Sequence, residues 1–137
     1  MTLNRAVPVL QVSDVGKSMK WYKDVLGFDG SAFPERAPFS FASLRRDGVE
    51  VMLQRSTPQG LQAAGGWSIY FRVGGNMLLT LADRIRAKTR LIREPARMPY
   101  CDVEFSIADP DGHELVFSEQ LPDGAPVRSV QEGENSA

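Results

Sequence analysis

Two stretches of the sequence repeat one another, and this repeat constrains the fold more than any other feature. Residues 47–54 and 111–118 both read Asp-Gly-x-Glu followed by three apolar residues. Their offset is 111 − 47 = 64 positions, close to half of the 137 residues. A period this long, present in only two copies, is not that of a solenoid. The repeat predicts one small domain of two related modules that share a sheet and enclose a cleft.

Composition and charge exclude several classes of protein. An apolar content of 42% and a charged content of 24% are typical of a globular protein in water. A formal net charge of −1 gives no general attraction to nucleic acid or to an anionic membrane. Cys101 is the only cysteine, so no disulfide can form within the chain. With no apolar run of signal-peptide or membrane-spanning length, we expect a cytoplasmic protein that binds neither nucleic acid nor membrane.

Hydrophobic periodicity predicts the order strand, helix, strand, strand, strand in each half of the chain. The predicted domain covers residues 1–120, and a flexible tail follows over residues 121–137. Asp14 is expected to cap the first helix, and Gly27 to end it. The fold class is therefore α+β, with two βαβββ modules forming a curved mixed sheet around a cleft and helices on the outer face. The first module covers residues 5–55, the linker 56–66 and the second module 67–119.

Motifs at both ends of the repeat resemble the vicinal oxygen chelate superfamily, which includes glyoxalase I, bleomycin resistance proteins and extradiol dioxygenases. The match extends over roughly residues 6 to 119. The resemblance implies the same two-module fold, a ligand in the cleft and a homodimer. The opening motif comprises residues 9–14, Ser18, residues 21–22 and residues 26–28, and the closing motif comprises residues 109–112 and 114–117.

The resemblance also implies four metal-ligand positions, one on the first and one on the last strand of each module. In this sequence they are Val7, Met52, Ser68 and Val116. None is the His, Asp, Glu or Cys that zinc or iron requires. The nearest carboxylates are two residues upstream, about 6.6 Å along a strand, whereas a zinc–oxygen bond is about 2.0–2.2 Å. The sequence therefore predicts no metal and no cofactor.

Strand alternation predicts which residues line the cleft, because side chains two apart share a face. One face of the predicted strands is uniformly apolar and should pack on the helices. The other face mixes apolar, aromatic and polar residues, as a small-molecule site requires. The predicted ligand-binding residues are Val7, Val9, Gln11, Glu50, Met52, Gln54, Ser68, Tyr70, Arg72, Glu114 and Val116, and further candidates are Phe39, Phe41, Ser43 and Glu104.

Several candidates also have a purely structural interpretation. Glu50 and Glu114 could flank a cationic ligand, or they could be solvated residues at strand starts. Trp67 could contact the ligand at the rim or cover the core. His113, the only histidine, is expected to be an exposed turn residue and not a catalytic base. The basic cluster is interpreted as a solvated helix face whose last turn favours cations, because phosphate or nucleic-acid binding would prefer interleaved aromatics or a Gly-rich loop. It comprises Arg84, Arg86, Lys88, Arg90, Arg93 and Arg97.

Three functional hypotheses follow. The first is a metal-independent protein of the bleomycin-resistance-like branch that sequesters a small amphipathic molecule, an antibiotic or a related compound. The second is a metal-dependent glyoxalase-like lyase, isomerase or dioxygenase with a displaced metal site. The third is metal-free catalysis, in which Glu50 or Glu114 acts as a general base with a raised pKa. No catalytic residue is assigned from the sequence.

Overall fold

The structure, a computed structural model, describes residues 1–61 and 66–131. It divides into two compact units, and the turn at 109–113 belongs to the first of them. The first unit contains β1 (Val9–Val12), α1 (Val15–Leu26), β2 (Asp29–Phe33), β3 (Phe41–Arg46), β4 (Val49–Arg55) and α2 (Pro58–Leu61). The second contains β5 (Trp67–Arg72), α3 (Leu78–Arg86), β6 (Leu91–Arg97), β7 (Val103–Ala108), β8 (Glu114–Glu119) and β9 (Arg128–Ser129).

The first sheet has the strand order β1-β4-β3-β2, in which β1 runs parallel to β4 and the other neighbours are antiparallel. One face packs against α1 through six buried apolar side chains. This helix-covered face consists of Leu10, Val12, Ala42, Leu44, Val51 and Leu53. The opposite side of each sheet is called the helix-free face below.

Helix α1 begins and ends where its capping residues predict. Asp14 has an extended backbone, and its Oδ1 accepts a hydrogen bond from the Lys17 amide at 3.0 Å. Gly27 ends the helix with a φ of 71°, a conformation that residues with a Cβ rarely adopt. These caps fix the register of α1, so that Val15, Ser18, Tyr22 and Leu26 face the sheet.

The second sheet has the order β5-β8-β7-β6-β9, with β5 parallel to β8 and β6 parallel to β9. Leu78, Ala82 and Ile85 of α3 are buried. On the sheet, the rings of Phe71, Phe117 and Phe105 stack in sequence with centroids 5.0 Å apart. In both units, therefore, a helix packs on an apolar face of the sheet.

The β7–β8 turn is tied to the first unit by side-chain hydrogen bonds. The Tyr22 hydroxyl donates to Asp109 Oδ2 at 2.8 Å, and the Ser13 amide donates to Asp111 Oδ2 at 3.1 Å. Burial, and then the Asp109 carboxylate, raise the pKa of Tyr22. His113 is half-buried with Nε2 2.7 Å from the Gln11 carbonyl, so the expectation of an exposed turn residue is wrong.

The α+β class and the βαβββ order of each module are confirmed. The strands form two sheets, of four and five strands. Strand β1 starts at Val9, four residues after the predicted start of the first module at residue 5, and Pro8 immediately precedes it. Proline has no backbone N–H and cannot continue the ladder, although the Pro8 carbonyl still accepts from the Met52 amide at 2.9 Å.

The linker and the tail contain structure that the sequence did not suggest. Residues 58–61 of the predicted linker form the short α2, and residues 62–65 lie outside the described residues. In the predicted tail, β9 pairs with β6, and Val130 is buried with Ala96 and Met98. The last six residues, 132–137, are likewise outside the described part. None of the described helices has the length and apolar character needed to cross a membrane.

Candidate functional site

The predicted ligand-binding residues of the first unit lie together on the helix-free face of its sheet. Val9 is paired with Met52, and Gln11 with Gln54. The two glutamines are also joined through their side chains, because Gln11 Nε2 donates to Gln54 Oε1 at 2.8 Å. Val7 precedes β1 and is half-buried. Register therefore brings four of the predicted residues side by side.

Glu50 lies on the same face and is held by three protein groups. The Ser43 hydroxyl donates to Glu50 Oε2 at 2.6 Å, and Oε1 lies 2.8 Å from Arg5 Nη2 and 3.3 Å from Arg45 Nη2. The Ser43 hydrogen bond, followed by the charges of Arg45 and Arg5, lowers the pKa of Glu50. A general base at neutral pH needs a raised carboxyl pKa, so this geometry argues against Glu50 in that role.

Two phenylalanines give this face an exposed aromatic surface. Phe33 and Phe41 pair across β2 and β3, and their rings stack with centroids 5.7 Å apart. They are 60% and 39% exposed, unusual for two adjacent large apolar side chains. Phe41 was a sequence candidate. Phe33 was missed, although its position opposite Phe41 would have followed from the β2–β3 register.

On the second unit, a bulge in β5 changes which residues share the helix-free face. Tyr70 pairs with Val116 and Arg72 with Ser118, as alternation predicts, but Trp67 pairs with Glu114. The bulge lies between Trp67 and Ile69, so Trp67 occupies the place that alternation gives to Ser68. The Trp67 ring lies 5.5 Å from that of Tyr70.

The predicted residues Val116 and Ser68 have opposite accessibilities. Val116 is completely buried, so a ligand reaches it only if the side chains that cover it move. Ser68 is exposed at the bulge.

Glu114 is held in the same way as its repeat counterpart Glu50. The Ser106 hydroxyl donates to Glu114 Oε2 at 2.8 Å, and Arg93 Nε lies 3.3 Å from the same oxygen. The Arg93 side chain is only 11% exposed, and its guanidinium lies over the Trp67 ring at 5.4 Å. Arg93 is therefore part of the candidate site, and its sequence assignment to a solvated surface is wrong.

Glu104 is the most deeply buried carboxylate of this face. Its side chain is 0% exposed, and its Oε2 accepts hydrogen bonds from the hydroxyls of Tyr70 and Tyr100. Burial, and then the Glu104 hydrogen bond, raise the pKa of Tyr70 to about 12 and raise the pKa of Tyr100 as well. Asp102 Oδ2 accepts from Arg72 Nη1 at 2.8 Å and lies 3.3 Å from the Tyr70 hydroxyl oxygen.

The roles of Tyr100 and Asp102 were not found from the sequence. Both precede β7, where strand alternation gives no indication of side-chain direction. An Asp and a Glu two residues apart, Asp102 and Glu104, were the available signal.

The side chains of the candidate site do not provide a set of ligands suited to a divalent metal ion. The four positions implied by the family carry hydrocarbon, thioether and hydroxyl groups, which are poor ligands for zinc or iron. Within residues 1–61 and 66–131, no group of three or more His, Cys, Asp and Glu residues is placed to hold an ion. Glu50, Asp102, Glu104 and Glu114 are instead engaged by Ser, Tyr and Arg side chains.

Comparison with known proteins gives one family and several similar folds. The family model described as Glyoxalase/Bleomycin resistance protein/Dioxygenase superfamily matches residues 2–117. The bleomycin-binding protein of Streptomyces verticillus, solved with copper(II)-bleomycin, has a TM-score of 0.70 at 21% identity, covering 88% of this chain and 99% of its own. The comparison with curated proteins gave no match.

Two further structures resemble the chain and are described as enzymes. A glyoxalase-related enzyme from Clostridium phytofermentans has a TM-score of 0.73 at 18% identity, covering 88% of this chain and 98% of its own. Lactoylglutathione lyase from Agrobacterium tumefaciens has a TM-score of 0.65 at 17% identity, with coverages of 85% and 92%. At such identities the likeness shows the fold alone.

Proposed function

Since the chain belongs to the Glyoxalase/Bleomycin resistance protein/Dioxygenase superfamily, we propose that it is a metal-independent protein that binds and sequesters a small amphipathic molecule. An antibiotic is the favoured class of ligand, because a bleomycin-binding protein has the same fold. The proposal includes a cytoplasmic location and a homodimer. Sequestration requires affinity and stoichiometry, and it does not require turnover.

The observation that carries the proposal is an aromatic pair on the helix-free face of each unit. Phe33 and Phe41 stack in the first unit, and Trp67 and Tyr70 lie ring to ring in the second. Flat rings with accessible faces bind planar apolar groups through dispersion and stacking. The same face of each sheet also carries a Ser-bonded glutamate that can orient polar parts of the ligand. A mainly apolar surface with a few fixed polar groups is what small-molecule sites share.

The engaged carboxylates favour binding over catalysis. The lowered pKa of Glu50 makes it a weak proton acceptor at neutral pH. Glu104 Oε2 already accepts two phenolic hydrogen bonds.

Tryptophan fluorescence tests the proposal directly, because one of the two tryptophans is Trp67. The protein is titrated, in EDTA, with metal-free bleomycin, glutathione conjugates and naphthalene derivatives. We expect at least one compound to give saturable quenching that Trp67→Phe abolishes. Phe33→Ala should weaken ligand binding at the aromatic pair of the first unit, measured by calorimetry. Val49→Ala is the matched control, because it removes an exposed apolar side chain whose strand position faces the other side of the sheet.

Two outcomes would contradict the proposal. One is the absence of saturable binding across the whole panel. The other is ligand turnover that appears only when a divalent ion is added, which would support a metal-dependent lyase or dioxygenase.

A further inference from the structure

The helix-free face of the second unit contains two buried polar atoms with no hydrogen-bond partner among the described residues, Arg93 Nη2 and Glu104 Oε1. We propose that they form an anchor for a primary carboxamide, whose oxygen accepts from Arg93 and whose nitrogen donates to Glu104. This inference rests on the proposed binding function and specifies the polar group by which the ligand is held.

One further atom of each side chain already has hydrogen-bond partners. Glu104 Oε2 accepts from Tyr70 and Tyr100, and Arg93 Nε points to Ser106 and Glu114. The remaining oxygen, Glu104 Oε1, lies 3.5 Å from Arg93 Nη1, which is longer than an ordinary N–H···O hydrogen bond. Arg93 Nη2 is bonded to the same carbon as Nη1, so a free donor and a free acceptor adjoin each other.

Such a pair is unusual and needs an explanation. Buried polar groups in folded proteins nearly always have a hydrogen-bond partner, and an exception often marks a binding site or an ordered water. The Glu104 side chain is 0% exposed, so bulk solvent does not provide that partner. A group with an acceptor beside a donor would satisfy both atoms at once.

The charges around the pair select a neutral ligand group. Three carboxylates, of Asp102, Glu104 and Glu114, lie in contact with two guanidiniums, of Arg72 and Arg93. A carboxylate ligand would satisfy Arg93 but would meet Glu104 as a like charge. An ammonium group would satisfy Glu104 but would leave Arg93 Nη2 without an acceptor. A carboxamide avoids both penalties.

The aromatic residues around the pair provide access and a support for the ligand. Tyr100 lies in the connection between β6 and β7 and is 52% exposed even though its hydroxyl bonds to Glu104. In this proposal, the ligand reaches Glu104 after the Tyr100 side chain rotates away from it and its phenol moves into water. The Trp67 ring, over which Arg93 lies, is placed to stack on an aromatic group that carries the carboxamide.

Three matched probes test the assignment: 2-naphthamide, 2-naphthoic acid and 2-naphthylmethylamine. They share one ring system and differ in the polar group. Dissociation constants are measured on the full chain by Trp67 fluorescence, with ligand-observed NMR as the second readout. We expect the amide to bind at least about tenfold more tightly than the acid and the amine, the effect of one or two buried hydrogen bonds.

Variants connect that preference to the two atoms. Glu104→Gln replaces one carboxylate oxygen by an NH2 donor. Because the amide oxygen is needed to accept from Tyr70 and Tyr100, the donor takes the place of Oε1, and 2-naphthamide binding should fall by about tenfold or more. Arg93→Lys keeps the positive charge but loses the second guanidinium nitrogen, and it should have the same effect. It also serves as the second test if Glu104→Gln does not fold. The matched controls, Glu94→Gln and Arg90→Lys, change exposed residues on or beside the same strand and should leave binding unchanged.

Some results would contradict the carboxamide anchor but would leave the proposed binding function unaffected. Equal affinity for the three probes, or an amide preference that survives both Glu104→Gln and Arg93→Lys, excludes it. A crystal structure in which a water bridges the two atoms while the amide binds elsewhere also excludes it. Failure of the wider ligand panel in EDTA would instead count against the proposed function itself.

Discussion

A serine and at least one arginine hold each of the two repeat-related glutamates. Ser43 bonds to Glu50 and Ser106 to Glu114, and the serines are 63 positions apart while the glutamates are 64 apart. Arginine completes each group, but from different elements, since Arg45 is on β3 and Arg93 on β6. The Ser–Glu contact is thus a property of the repeated module, whereas the choice of cation is local.

Replacing Ser43 by Ala should raise the pKa of Glu50 toward its ordinary value of 4.5, because the Ser43 hydrogen bond is the largest cause of its lowering. A lowered carboxyl pKa adds stability above the ordinary value, and that stability disappears as pH falls through the folded-state pKa. The stability difference between wild type and variant should therefore be present at neutral pH and shrink below about pH 4.5. A carboxyl-carbon NMR titration of Glu50 measures the pKa.

Ser31→Ala is the matched control for this measurement. Ser31 pairs with Ser43 across β2 and β3 but is exposed, so its replacement should leave the Glu50 pKa unchanged. An unchanged Glu50 pKa in Ser43→Ala would show that the arginines dominate.

All three tyrosines of the chain have a raised pKa, with burial as the leading cause in each. The lowest of the three is that of Tyr70, at about 12. We therefore predict very little tyrosinate absorption near pH 10.5 in the folded protein, where a free phenol of pKa about 10 is mostly ionised. In denaturant, the tyrosines should titrate with their ordinary pKa of about 10.

The same shifts predict how stability changes in alkaline solution. Because the folded-state pKa values exceed that of the unfolded chain, the contribution of the tyrosines is complete below about pH 10 and is lost as pH rises toward the folded values. Absorbance at the tyrosinate band, followed with and without urea, checks both statements. A phenol titrating near 10 in the folded protein would contradict the hydrogen-bonded cluster of Tyr70, Tyr100 and Glu104.

At the scale of elements, β9 shows how a polar segment can contribute a strand. The Val130 amide donates to the Arg97 carbonyl at 2.7 Å, and Arg97 Nη2 donates to the Pro122 carbonyl at 2.8 Å. Val130 is buried with Ala96 and Met98. Two paired residues and one apolar side chain are too short a pattern for periodicity to detect, so the sequence predicted only a flexible tail here.

Val130→Ala should lower the free energy of unfolding by about 1–3 kcal/mol, because it removes a buried valine side chain and leaves part of its volume empty. Urea denaturation measures the change. Val49→Ala is the control, because Val49 is 42% exposed on β4 and a surface substitution there should cost less than about 0.5 kcal/mol. Equal effects of the two substitutions would show that β9 does not contribute to the core.

At the scale of the whole chain, the repeat and the alternation of strands were enough to predict the fold class and most of the helix-free face. Val9, Gln11, Met52 and Tyr70 lie where period-two alternation places them. Such patterns do not reveal the bulge in β5, because of which Trp67 and not Ser68 occupies the helix-free face opposite Glu114. They also do not reveal that Arg93, inside a basic run, is buried by pairing with carboxylates, because burial of a charge depends on partners distant in sequence.

The chemistry of these faces leads to a prediction about metal content. A divalent ion needs several oxygen or nitrogen ligands at once. Glu50, Asp102 and Glu114 accept hydrogen bonds or ion pairs from protein groups, and the remaining oxygen of Glu104, Oε1, lies beside the positively charged Arg93 guanidinium. The protein purified without chelator should therefore contain far less than one zinc, iron, manganese or nickel ion per chain, and EDTA should not shift its melting temperature. A bound ion would add stability by mass action. Elemental analysis and thermal unfolding, before and after EDTA, measure both quantities, and a stoichiometric ion whose removal lowers the melting temperature would refute metal-independent binding.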